Sequence, residues 1–173
     1  MAKNSRKQIR QDTEAVLRVM QEKGKNDLQK ISEKAGFSRQ KTWRMIKKLE
    51  ENKGIWGYTA VINPELLNKK NYLLMMNIEC DKDVYTKMAN GKIESLLAEI
   101  GITVQDNYYT HGEYNWMLKI SADDTRHLTV ACNVIMNEFP DSLTDIETME
   151  VMVPIKVHNI GNPKVKDEVK QFY

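Results

Sequence analysis

At 173 residues, with 41% hydrophobic and 29% charged residues, the chain has room for two small globular domains and is not built like a disordered one. Its longest apolar run, Tyr72–Met76, falls far short of the roughly 18 residues that span a bilayer, and the basic start, Met1 to Lys7, has no apolar stretch behind it, so a cytoplasmic protein is expected. The net charge of +2 conceals a division: residues 1–54 hold 15 Lys/Arg against 7 Asp/Glu (+8), and residues 55–173 hold 11 against 17 (−6). A polyanionic partner is therefore expected for the front only. Cys80 and Cys132, with His111, His127 and His158, show neither metal-ligand spacing nor a disulfide framework, so they read as reduced core thiols and scattered histidines, with no metal or cofactor.

Three helices fit the first fifty residues. The first is expected from Asp12, a residue suited to helix N-caps, to Lys23, with Val16, Leu17 and Met20 inward and Gly24 as its stop. The second opens at Asp27 and turns Leu28, Ile31 and Ala35 inward. The third follows Ser38 and turns Thr42, Ile46 and Leu49 inward. Between the last two, Gly36-Phe37-Ser38 is too short to let the helices run antiparallel, which is how a helix-turn-helix is built. Ile55–Ile62 is β-rich and predicts a strand that forms the wing and a link. From there the order is β-α-β-β-α-β. Strands are predicted over 72–80, 103–110, 114–121 and 144–157, and helices over 84–100, weakened at Gly91, and from Asp123 or Asp124 to Pro140, before a polar, Lys-rich tail. The fold class is therefore α+β: a winged helix-turn-helix (residues 1–62) followed by a ferredoxin-like βαββαβ domain with a C-terminal tail (residues 63–173). One face of such a sheet is left bare, so self-association is expected.

With Thr42, Ile46 and Leu49 inside, Arg39, Gln40, Trp43, Arg44 and Lys47 project outward from the third helix. Arg and Gln present paired donors and acceptors that match guanine and adenine edges in the major groove. Ser38 at the helix start suits a phosphate, and Lys41 and Lys48 are placed to neutralise backbone charge on either side. The partner this predicts is double-stranded DNA.

Through Gly36-Phe37-Ser38, Ile46-Lys47-Lys48-Leu49-Glu50-Glu51, Gly57-Tyr58-Thr59-Ala60-Val61-Ile62-Asn63-Pro64 and Gly112-Glu113-Tyr114-Asn115, spanning about residues 10–157, the sequence resembles the Lrp/AsnC, or feast/famine, regulators of bacteria and archaea. The resemblance implies a transcription regulator whose dimers pair through the linker strand and sheets and assemble further, with an amino-acid effector near Gly112, Glu113, Asn115 and Thr148. Three features depart from the pattern. Met45 stands where the family commonly has Arg, Asn115 stands where the effector turn usually has Asp, and the segment between the first two strands of the second domain is longer. A neutral Asn cannot pair with an α-ammonium group as a carboxylate does.

Two other readings remain open. Siroheme decarboxylases share this architecture, and Asn107-Tyr108 and Tyr114-Asn115 stand at the separation of their motif. However, Asp106, Thr110 and Gly112 occupy the positions of its His, Arg and His, removing the acid–base groups. The other is a low-specificity architectural protein that wraps DNA, in which Trp43 serves shape or protein contacts. No nucleophile elbow, phosphate loop or characteristic carboxylate pair is present in the sequence, so no enzyme is expected.

Overall fold

A computed structural model describes residues 5–23 and 27–172. The chain divides into two compact units, one made of residues up to Val61 together with those from Pro154 onward, the other of Ile62–Val153.

The first unit opens with α1 (Arg6–Lys23), α2 (Leu28–Ala35) and α3 (Arg39–Glu51). Helix α1 begins well before the expected Asp12. Ser5 caps it, its hydroxyl accepting from the Gln8 amide at 3.2 Å, and Asp12 lies inside the helix and is buried. Gly24, the expected stop, lies outside the described residues. The buried face of α1 is Val16, Val19 and Met20, the i, i+3, i+4 set, which leaves Leu17 half-buried on its flank. Asp27 caps α2 by accepting from the amides of Gln29 and Lys30. Gly36, at φ +74°, ends it, in a left-handed conformation that glycine adopts without steric cost. Ile31 of α2 and Ile46 of α3 complete the core.

Ile55–Ile62, expected to be a strand, is not one. Residues 56–63 have no regular structure, and Trp56 is 96% exposed. A strand needs a neighbour to accept its ladder, and among the described residues this segment pairs with none. No wing forms here.

The second unit follows the βαββαβ order, with one helix broken in two: β1 (Lys70–Ile78), α4 (Lys82–Ala89), α5 (Lys92–Glu99), β2 (Thr103–Tyr109), β3 (Trp116–Ala122), α6 (Thr125–Glu138) and β4 (Leu143–Glu150). The sheet order is β2-β3-β1-β4, every neighbour antiparallel, with Leu74 of β1 opposite both Leu118 of β3 and Thr148 of β4. The single helix expected over 84–100 is interrupted at Gly91, whose φ of +66° cannot continue a right-handed helix. The last strand stops at Glu150, not at residue 157.

Alternation along β1 and β3 buries Tyr72, Leu74, Met76, Trp116, Leu118 and Ile120 against α4, α5 and α6. Each large side chain so buried contributes about 1.5–3 kcal/mol. Trp116 packs edge-on against Phe139 at 5.3 Å, and its indole N–H donates to Asn107, whose own amide donates to Glu94. Both cysteines are free and half-buried. The other sheet face carries half-buried Leu73, Met75 and Met117 beside exposed Tyr108 and Met149.

The residues from Pro154 onward, expected to finish the last strand and continue as a polar tail of the second domain, group with the first unit. They form a short hairpin, β5 (Lys156–Val157) paired with β6 (Ile160–Gly161), then α7 (Val165–Val169) and a last 3-10 turn.

Candidate nucleic-acid interface

The turn between α2 and α3 sets how α3 is presented. Beyond Gly36, the Phe37 amide returns to the Ser32 carbonyl at 2.9 Å, so only Ser38 separates the turn from α3. The Ser38 hydroxyl accepts from the Lys41 amide at 3.3 Å. Three orphan amides of the first turn point out of a helix end that favours an anion.

At 100° per residue, Arg39, Trp43, Lys47, Gln40, Arg44 and Lys48 follow one another over an arc of about 180°, and all six are exposed. Thr42 and Ile46 occupy the opposite side and are buried, with Leu49 half-buried beside them. A helix of 13 residues is about 20 Å long, enough to lie along the major groove. Among the described residues Arg39 and Arg44 form no ion pair, which leaves both guanidinium forks facing water. Trp43 is 51% exposed, and the Lys47 ammonium lies 5.2 Å from its ring centre while also reaching Glu51 at 4.0 Å.

Lys41 behaves differently from its neighbours. Its ammonium is turned toward α1, bonded to the Asp12 carboxylate at 2.5 Å and lying 3.9 Å from the centre of the Phe37 ring. The Lys41 hydrogen bond, seconded by one from Gln8, holds the Asp12 carboxyl below its ordinary pKa. Lys41 therefore ties α1 to α3, a role the sequence did not reveal because its partner lies 29 positions away. A Ser5-x-x-Gln8 start, the capping-box pattern, was the available sign that Asp12 was not a cap.

The four residues expected near an effector lie in the β2–β3 connection, just before β3 and on β4. Gly112 and Glu113 are exposed in the β2–β3 connection, and Thr148 is exposed on β4, two strands from β3. The Asn115 side chain pairs with Ile78: its amide donates to the Ile78 carbonyl at 2.8 Å and its oxygen accepts from the Ile78 amide at 2.9 Å. Its backbone amide also bonds to Met76 at 3.1 Å, so this one residue extends the β1–β3 pairing past Trp116. Next to it, Tyr114 donates its hydroxyl to Glu147, and that carboxylate pushes the phenol up to about 12.

The positions matching the decarboxylase motif serve the sheet and turn. Asn107 bridges Glu94 and Trp116, Asp106 accepts from the Tyr108 hydroxyl, and Thr110 donates to the Tyr114 carbonyl. Among the described residues no group of three or more His, Cys, Asp or Glu is placed to hold a metal, and no helix is long and apolar enough to cross a membrane.

A helix-turn-helix with a bare basic helix and a βαββαβ sheet occur in one chain, and the chain is similar to known proteins over most of its length. The regulator FL11 of Pyrococcus furiosus is 28% identical over 146 residues, covering 83% of this chain and 87% of its own length. The leucine-responsive regulatory protein of Haemophilus influenzae is 26% identical over 147 residues, covering 83% and 84% respectively. Among solved structures, an AsnC family transcriptional regulator from Agrobacterium tumefaciens superposes with a TM-score of 0.61 at 20% identity, over 84% of this chain and 92% of that one. A transcriptional regulator from Neisseria meningitidis, in complex with L-methionine, superposes with a TM-score of 0.64 at 22% identity, over 89% and 95%. No family model matches the chain. In fold the chain matches solved regulators of the AsnC and Lrp type, and in sequence it is similar to regulators 26% and 28% identical to it.

Proposed function

We propose that this protein is a transcription regulator that reads duplex DNA by laying α3 in the major groove, acting in the cytoplasm where the genome lies. The observation that carries the reading is the solvent-facing arc of α3, in which Arg39, Gln40 and Arg44 are exposed while Thr42 and Ile46 are buried. Arg39, Gln40 and Arg44 take base edges; Lys47 and Lys48 meet phosphates, and the capped helix start at Ser38 receives one more. The relatives are named as transcriptional regulators, which supports a regulator and not an enzyme. Arg44→Ala lowers affinity for a genomic site about 5- to 150-fold, the equivalent of ~1–3 kcal/mol, while leaving affinity for a random duplex closer to that of the parent. Anisotropy titrations on both duplexes at one stated salt concentration test this; equal affinity of parent and variant for the genomic site would refute it.

Such a helix contacts only a few base pairs, so pseudo-palindromic sites and a dimer or higher assembly follow. The β-rich segment 56–63, which pairs with no strand among the described residues, and the half-apolar open face of the sheet are suited to pair with a second copy. Sedimentation at micromolar concentration tests the assembly, a monomer being the refuting result.

The second unit receives a small metabolite, an amino acid being the first to try, around Gly112, Glu113 and Thr148. Asn115 contributes through its place in the sheet. A ligand that binds the folded state raises its melting point, so a thermal-shift screen of the amino acids in which none moves the transition would overturn this part.

A further inference from the structure

The hairpin after Pro154 is unused by this reading, and it belongs to the same unit as α3. Its two-residue turn is His158-Asn159, both with left-handed φ, +45° and +66°. Such tight hairpin turns need positive φ at both central residues, usually supplied by Asn and Gly. Here His158 adopts it without being glycine, so the turn is held by what surrounds it. The hold comes from Asn162. Its amide donates to the Pro154 carbonyl at 3.0 Å and to Glu168 of α7 at 2.7 Å, its oxygen accepts from the Lys164 amide at 2.9 Å, and its backbone N–H bonds to Ile155 at 2.9 Å. Hairpin and α7 are thereby locked together as one small rigid piece.

The charges on that piece are sorted. Glu168 is taken up by Asn162, and Asp167 is paired with Lys170 at 3.1 Å. Lys156, Lys164 and Lys166 are exposed and, among the described residues, form no ion pair. A rigid hairpin bearing three unopposed cations, in the unit that carries the reading helix, has the properties a wing needs, and residues 56–63 form no such hairpin.

We propose that β5–β6 with the start of α7 is a second DNA-contacting element, gripping the phosphate backbone of the duplex through Lys156, Lys164 and Lys166 beside the His158-Asn159 tip. The inference rests on the regulator reading of α3 and adds to it a sequence-independent grip. Phosphate contacts release counterions, so each lysine engaged adds about 0.9 to the slope of log affinity against log salt.

The test uses the full chain, its triple variant Lys156→Ala, Lys164→Ala, Lys166→Ala, and the matching triple Arg variant. Each is titrated over a salt series with a genomic duplex the parent binds and with a random duplex of the same length. The Ala variant is expected to lose slope, by roughly 2.7 per protomer when all three lysines engage, and to lose affinity for both duplexes by the same factor; the Arg variant keeps the parent slope. A parent that binds and an Ala variant with the parent slope would overturn the inference while leaving α3 untouched. A parent that binds neither duplex would overturn the regulator reading and this inference with it.

Discussion

Replacing Asn115 by Asp separates two roles for the residue, sheet clamp and ligand group. The Ile78 backbone fixes the orientation of the carboxamide, since the Ile78 amide can only donate and its carbonyl can only accept. Asn115→Asp keeps the acceptor toward the Ile78 amide and turns the donor into a carboxylate oxygen facing the Ile78 carbonyl. One hydrogen bond of 2.8 Å is lost and a repulsion replaces it. Losing one partner of a half-buried pair costs about 1–3 kcal/mol. The second unit is of a size at which 1 kcal/mol moves the melting point by about 4–8 °C, so a fall of roughly 5–20 °C is expected. Trp116, buried beside this clamp in the core, makes the transition visible in near-ultraviolet circular dichroism. Asn115→Ala, which loses both bonds and leaves the Ile78 amide and carbonyl without this partner, is expected to fall by at least as much. An Asp variant that melts with the parent would refute the clamp and return Asn115 to the effector residues.

Gly36→Ala meets no atom within 4 Å, so its cost is that of a left-handed φ alone, about 1–2 kcal/mol; denaturant unfolding of the first unit checks it, and no loss of stability would contradict the turn geometry. Asp12, held below its ordinary pKa by Lys41 and Gln8, contributes stability that is present above its unfolded pKa and is lost as pH falls through the lower folded value. Asp12→Asn is therefore expected to be less stable at neutral pH and to lose less between about pH 4 and pH 2; parallel curves for parent and variant would remove the bridge from the account. Tyr114, raised to about 12 by Glu147, gives stability that is full below pH 10 and lost as pH climbs toward its folded value. Tyr114→Phe is expected to flatten that alkaline loss in melting curves taken from pH 9 to 12, and an unflattened loss would contradict it.

What could be read from the sequence depended on whether the deciding contact was local. Asp27, Gly36 and Ser38 cap and stop their helices through bonds two to five residues away, and the alternation of Trp116, Leu118 and Ile120 is a property of β3 itself. The reading failed where distant or strained partners decide. Asp12 looked like a cap because its partner, Lys41, lies in another helix. The wing was placed at Ile55–Ile62 because β-rich composition does not say whether a neighbouring strand is present. The C-terminal hairpin was missed because its turn lacks glycine, the usual sign of positive φ. At the candidate interface the outward arc of α3 followed from helical spacing alone, whereas the diversion of Lys41 and the engagement of Asn115 did not.

The pairing of β1 with β4 has a consequence for where the chain enters and leaves the sheet. Tyr72 faces Glu150 in the ladder, and Lys70 reaches the Glu150 carboxylate at 2.7 Å, so the polypeptide comes into the second unit and goes out of it at a single corner. The first and last strands of the sheet therefore begin and end side by side, so whatever opens the Lys70–Glu150 corner loosens the start of β1 and the end of β4 at once.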